Sequence, residues 1–188
     1  LRLVRNGVLD PAPVAGLPAD IQAAGLAGLM DIQLHPKFAE NKLVYLTYHK
    51  RQANAVPQAP PAGGGRGPAP PPGVITLARG RWDGTGLVDV KDIFSGVPSG
   101  NASRILFTRD AHIIMSVGYG DPPQPNQGNP EPQKMPPQDP MSLAGKTLRL
   151  NEDGTVPKDN PFFGKAGYRP EIFTLGHRNI LGLTMNPE

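Results

Sequence analysis

"DIQLHPKFAENKLVYLTY", residues 31–48, carries the plan of the fold. An alternating apolar stretch runs to His35–Pro36, a polar stretch follows, and "KLVYLTY" resumes the alternation. A period of two is the spacing of a β-strand, so the pattern predicts two strands joined by a turn around "KFAEN". "RILFTRDAHIIMSVGY", residues 104–119, repeats that plan, and "LGLTMNPE", residues 181–188, begins it again. Strand pairs recurring at wide spacing without helices between them predict an all-β array of the propeller type. On pattern alone a β-sandwich is the alternative.

The flanking segments extend the same reading. "LRLV" opens the chain, "VITLARGRW" (74–82) and "LVDVKDIF" (87–94) are joined by the hairpin signal "DGTG", and "KTLRLN" (146–151) and "EIFTLG" (171–176) follow. The best helix candidate is "ADIQAAGLAGL" (19–29). Two stretches interrupt the plan: residues 51–73, rich in Pro and Gly, and residues 119–142, again Pro-rich. Such composition buries too little apolar surface to offset the entropy of ordering, so both are expected to be surface loops within one domain spanning 1–188. Long loops on a rigid β scaffold are frequent carriers of binding residues.

Composition removes several function classes. The net charge of +3 is spread along the 188 residues, with no basic run, which argues against nucleic acid as a partner. There is no cysteine, so disulfides, thiolate metal sites and Cys nucleophiles are excluded. No apolar stretch approaches the length of a membrane span. The chain has no opening Met and begins as if a strand were under way, so both ends are expected to be cut from a longer protein.

Several motifs invite chemistry and are better read as structure. "NEDGTVPKDN" (151–160) has the oxygen-rich look of a calcium loop, but its glycine is misplaced and a closing Glu is missing, which leaves a turn. "GKT" (145–147) lacks the upstream glycines of a phosphate loop. "NAS" (101–103) is formally a glycosylation sequon. His35, His49, His112 and His177 have no metal-ligand spacing. His35 is expected to close a strand through a backbone hydrogen bond, and His112 to face solvent. "GHRN" (176–179) remains. Arg178 offers a planar fork of donors, and Asn179 an amide with both donors and an acceptor. They either tie down a strand-end turn or meet a ligand.

Four segments in this order, "GLMDIQLHPKFAENKLVYLTY", "SRILFTRD", "GKTLRLNEDGTVPKDNPF" and "RPEIFTLGHRNILGL", resemble the glucose/sorbosone dehydrogenase family. The resemblance covers nearly the whole chain outside the Pro-rich loops. It implies a six-bladed β-propeller of which this chain is roughly the N-terminal half. It also implies a soluble, periplasmic or secreted PQQ-dependent enzyme that oxidises the C1 hydroxyl of aldoses and passes electrons to an external acceptor. Carried over, Arg178 is the electrophilic anchor at the quinone carbonyl and Asn179 an adjacent PQQ contact, with His177 a packing and turn residue. Family calcium ligands and further basic PQQ contacts would lie beyond Glu188. The departures are specific. Where the family places its catalytic histidine this chain has Gly100, or Asn101 if the alignment slips by one; Leu26 stands for a PQQ-contacting glutamine, and Leu143 for a further histidine. A non-catalytic propeller with a binding or structural role is therefore the alternative expectation.

Overall fold

A computed structural model describes residues 1–23, 27–52, 73–98, 102–119 and 136–186. The described chain is almost all strand: β1 (Arg2–Arg5), β2 (Val8–Pro13), β3 (Leu29–Leu34), β4 (Leu43–Arg51), β5 (Gly73–Trp82), β6 (Leu87–Pro98), β7 (Ile105–Phe107), β8 (Ile113–Val117), β9 (Lys146–Leu150) and β10 (Ile172–Leu175). One four-residue helix, α1 (Phe38–Asn41), and a 3₁₀ turn at Pro136–Gln138 complete it.

The strands form a two-stranded sheet, β1-β2, and two four-stranded antiparallel sheets, β3-β4-β5-β6 and β7-β8-β9-β10, each an up-and-down meander. This is the repeating unit of a β-propeller, in which successive sheets stack face to face. Period-two alternation explains the stacking. On β4, Tyr45 enters the core between the two four-stranded sheets, while its neighbours Val44 and Leu46 pack toward β1 and β2. The first of these cores joins Tyr45, Ile75 and Leu77 to Ile105, Ile113, Met115, Val117, Leu148, Leu150 and Ile172. Leu148, Leu150 and Ile172 are fully buried there, each contributing roughly 1.5–3 kcal/mol.

β3 and β7, the first strands of their sheets, run side by side. The Asp31 carboxylate accepts the Ile105 N–H at 2.9 Å and lies 3.6 Å from the Arg104 guanidinium. Arg104 also donates from Nε to the Leu181 carbonyl (3.0 Å), so the segment after β10 passes beside β7 in turn. The two strands flanking residues 53–72 pair directly, with Arg51 opposite Gly73.

Two expectations are corrected. The helix expected over 19–29 is absent from its described residues. Ile21 bridges Lys50, and the Gln22 N–H donates to the His49 carbonyl, so the backbone lies extended along the end of β4. The helical turn falls instead at Phe38–Asn41, inside the turn between β3 and β4, and stops at Lys42 with a φ of 58°. His112 is not solvent-facing either. Its side chain is only 21% exposed and lies 2.9 Å from the Asp110 carboxylate, with Arg149 beside it. The His35 expectation is met: its Nδ1 accepts the Lys37 N–H (3.0 Å) and lies 2.7 Å from the Asn41 amide.

Candidate functional site

"GHRN" closes the sheet at the end where β8 finishes and β9 begins. Gly176 has a φ of 91°, a left-handed conformation that glycine adopts without strain, and it turns the chain out of β10. Two backbone bonds pin the turn: Gly176 N–H to the Pro137 carbonyl (2.8 Å) and His177 N–H to the Gly145 carbonyl (3.0 Å). A chain of side chains fixes His177. Its Nε2 lies 2.7 Å from Thr174 Oγ1, which is 2.5 Å from Thr147 Oγ1 on β9. His177 is thereby a turn residue.

Arg178 and Asn179 follow, both exposed. The Tyr119 N–H, just past β8, is shared between them: it donates to the Arg178 carbonyl (2.9 Å) and to Asn179 Oδ1 (3.1 Å). That bond uses the acceptor of the Asn179 amide, and no hydrogen bond from its two N–H donors is found among the described residues. The neighbouring Gly118 donates to the Ala102 carbonyl at 2.7 Å. A Cβ at Gly118 would stand 2.6 Å from Asn179 Oδ1 and 2.7 Å from the Ala102 nitrogen, so the site needs glycine there.

Beneath the turn lies Lys146, the first residue of β9 and fully buried. Its ammonium donates to the carbonyls of Pro136 (2.8 Å), Pro137 (2.9 Å) and Ala144 (2.9 Å). Burial pushes its pKa down to about 8 from the ordinary 10.5, so the group is still charged at neutral pH. Lys146 thus holds the loop whose Pro137 and Gly145 carbonyls receive the "GHRN" turn. The lysine of the "GKT" stretch is thus a support of the candidate site that sequence pattern did not reveal.

Of the remaining sequence candidates, Gly100, Asn101 and Leu26 lie outside the described residues. Leu143 is buried in the main core and binds nothing polar. His112 sits at the opposite end of β8, far from Arg178 along the strand. A cleft of about 380 Å³ opens there, lined by Arg79, Asp110, His112, Asn151, Glu152 and Asp153. Its carboxylates are engaged internally. Asp110 is held below the usual carboxylate range first by the Thr108 hydroxyl and then by His112, Asp153 by Thr155, and Glu152 meets buried His35 at 3.1 Å. No cluster of three or more potential metal ligands occurs among the described residues.

The stronger candidate is therefore the "GHRN" end. An exposed guanidinium and an amide with unused donors suit an acceptor-rich, anionic ligand. Tyr119, whose N–H meets this turn, carries a buried phenol oxygen for which no hydrogen-bond partner is found among the described residues.

Comparison with known proteins identifies the family. The Glucose / Sorbosone dehydrogenase family profile matches residues 1–188. Protein slr1608 of Synechocystis sp. is 38% identical over all of this chain and 44% of its own length. Aldose sugar dehydrogenase YliI of Escherichia coli is 30% identical over 94% of this chain and 42% of its own length. A crystal structure of glucose dehydrogenase superposes with a TM-score of 0.77 at 28% identity, covering 99% of this chain and 48% of that one. The PQQ-bound aldose sugar dehydrogenase of Streptomyces coelicolor superposes with a TM-score of 0.58 at 25% identity, over 86% of this chain and 40% of that one. The chain spans less than half the length of each of these relatives.

Proposed function

This chain belongs to the glucose/sorbosone dehydrogenase family, and from that premise we propose that it is part of a PQQ-dependent dehydrogenase oxidising the C1 hydroxyl of aldoses. The observation that carries the reading is the presentation of Arg178 and Asn179 side by side, held from below by Lys146 and from the side by the Tyr119 N–H. The chemistry that PQQ supplies when bound is hydride acceptance from the sugar carbon. Arg178 would hold an oxygen on which negative charge develops, the place where a preorganised donor lowers a barrier most. Asn179 would donate from its amide nitrogen to a neighbouring acceptor. Gly118 would let these two approach β8 without a side chain between them. An external acceptor would take the electrons onward. A periplasmic or secreted location and a calcium requirement belong to the same proposal.

A second reading has one specific observation in its favour. Neither Gly100 nor Asn101, the residues at the expected position of the proton acceptor, is a base. A propeller that keeps the cofactor contacts but lacks turnover would have this sequence. General-base catalysis is worth about 10²–10⁴-fold, so its loss alone would leave slow but measurable oxidation. Titrating the full-length protein with PQQ and calcium, then adding aldoses and following the cofactor absorbance, separates the two. Binding followed by reduction supports the enzyme, binding without reduction supports the non-catalytic propeller, and no binding refutes the PQQ reading.

A further inference from the structure

We propose that the Tyr119 hydroxyl is a ligand contact that donates a hydrogen bond to an acceptor oxygen of the cofactor held at Arg178 and Asn179. This rests on the PQQ reading above.

Tyr119 continues β8, whose residues Ile113, Met115 and Val117 face the core between the two four-stranded sheets. Alternation keeps Tyr119 on that face. The pairing of Ile105 with Met115 extends past the strand ends through Ser116 N–H to the Arg104 carbonyl and Gly118 N–H to the Ala102 carbonyl. Ser103 therefore lies on the same face, opposite Val117 and diagonal to Tyr119, within reach of a long side chain. Thr47 approaches from the facing sheet. It pairs with Asp31, whose carboxylate takes the Ile105 N–H, and it shares the alternation of core residue Tyr45.

Tyr119, Ser103 and Thr47 are 8%, 2% and 0% exposed, and the hydroxyl of each is buried with no hydrogen-bond partner among the described residues. Buried phenols and hydroxyls nearly always find a partner, because a buried unmade bond forfeits the solvation it had in water. Two on one sheet and one on the sheet that faces it, all on the core side, mark where that core stops being built for packing. Tyr119 is the one that borders the site. Its N–H already holds both candidate contacts, so the same residue orders Arg178 and Asn179 by its main chain and carries an unused donor on its side chain. The donor set matches the ligand chemistry: a tricarboxylated quinone presents many acceptor oxygens, and a guanidinium, an amide N–H and a phenol O–H all donate.

The test compares the full-length protein with its Tyr119→Phe variant, which keeps the ring and the N–H and removes only the oxygen. PQQ affinity is read by cofactor titration, and thermal midpoint is read without PQQ. The expected result is binding weakened about 10- to 150-fold, the worth of a hydrogen bond to a charged acceptor, with no fall in the ligand-free midpoint. Affinity within about twofold of the unsubstituted protein would overturn the proposal. So would a ligand-free midpoint lowered by several degrees, because the hydroxyl would then be satisfied inside the protein or by internal water. If the unsubstituted protein binds no PQQ, the functional reading fails and this inference with it; if it binds and the variant binds equally, this inference alone fails.

Discussion

Replacing Lys146 by Met tests how the site is held. The fully buried ammonium is bound by three carbonyls, and burial lowers its pKa from 10.5 to about 8. At about 1.4 kcal/mol for each pH unit, that difference corresponds to about 3 kcal/mol. The folded pKa lies below the unfolded one, so between pH 8 and 10.5 the unfolded chain binds more protons than the folded chain. Stability contributed by this group therefore rises with pH across that window and is lowest below pH 8. A neutral amine keeps two donors and releases one carbonyl. Pro137 is the least costly to release, because its oxygen also accepts the Gly176 N–H. Any carbonyl bond lost on deprotonation is already contained in the folded pKa, so the rise stays at about 3 kcal/mol. The assay is urea unfolding of the full-length protein and of Lys146→Met at pH 7 to 10.5. The difference in stability between the two should shift by about 3 kcal/mol in favour of the lysine protein as pH rises. Parallel pH profiles would refute the claim that burial lowers the pKa of this ammonium in the folded protein.

Three further outcomes follow from the same geometry. Arg178→Ala should weaken PQQ binding about 10-fold or more, as for a lost charge-assisted bond, and slow cofactor reduction by aldose; unchanged titration and rate would remove Arg178 from the site. Gly118→Ala should displace Asn179, since the new Cβ would lie 2.6 Å from its Oδ1, and a calorimetric titration should show PQQ affinity reduced relative to the unsubstituted protein. Leu148→Ala, in the centre of the main core and away from the turn, should cost about 2–5 kcal/mol in denaturant unfolding while leaving PQQ affinity of the folded protein near its original value.

The strand plan was legible because alternation is a local property. "KLVYLTY" and "HIIMSVG" send alternate residues to opposite faces, and the structure buries both faces of β4 and β8. The "DGTG" turn was legible for the same reason: Asp83 caps it within three residues, accepting from the Thr85 and Gly86 N–H groups. Segment 19–29 misled because its alanines and leucines favour a helix in isolation. Tertiary pairing with β4 overrides that preference. The role proposed for Arg178 and Asn179 comes only from resemblance, since a polar trio after a strand is equally good as a turn. Tyr119 and Lys146 were not legible at all. An unpartnered phenol and an ammonium seated among three carbonyls are consequences of which loops meet, and neither leaves a spacing in the sequence. His112 shows the converse, a residue after a turn drawn in by Asp110 and Arg149 from neighbouring segments.

The most direct test of the account is a crystal structure of the full-length protein grown with PQQ. The account predicts the cofactor against the "GHRN" turn, with oxygens in hydrogen-bond reach of the Arg178 guanidinium and the Asn179 amide nitrogen. PQQ bound elsewhere, or Arg178 and Asn179 engaged only by the protein in a PQQ-loaded crystal, would contradict it.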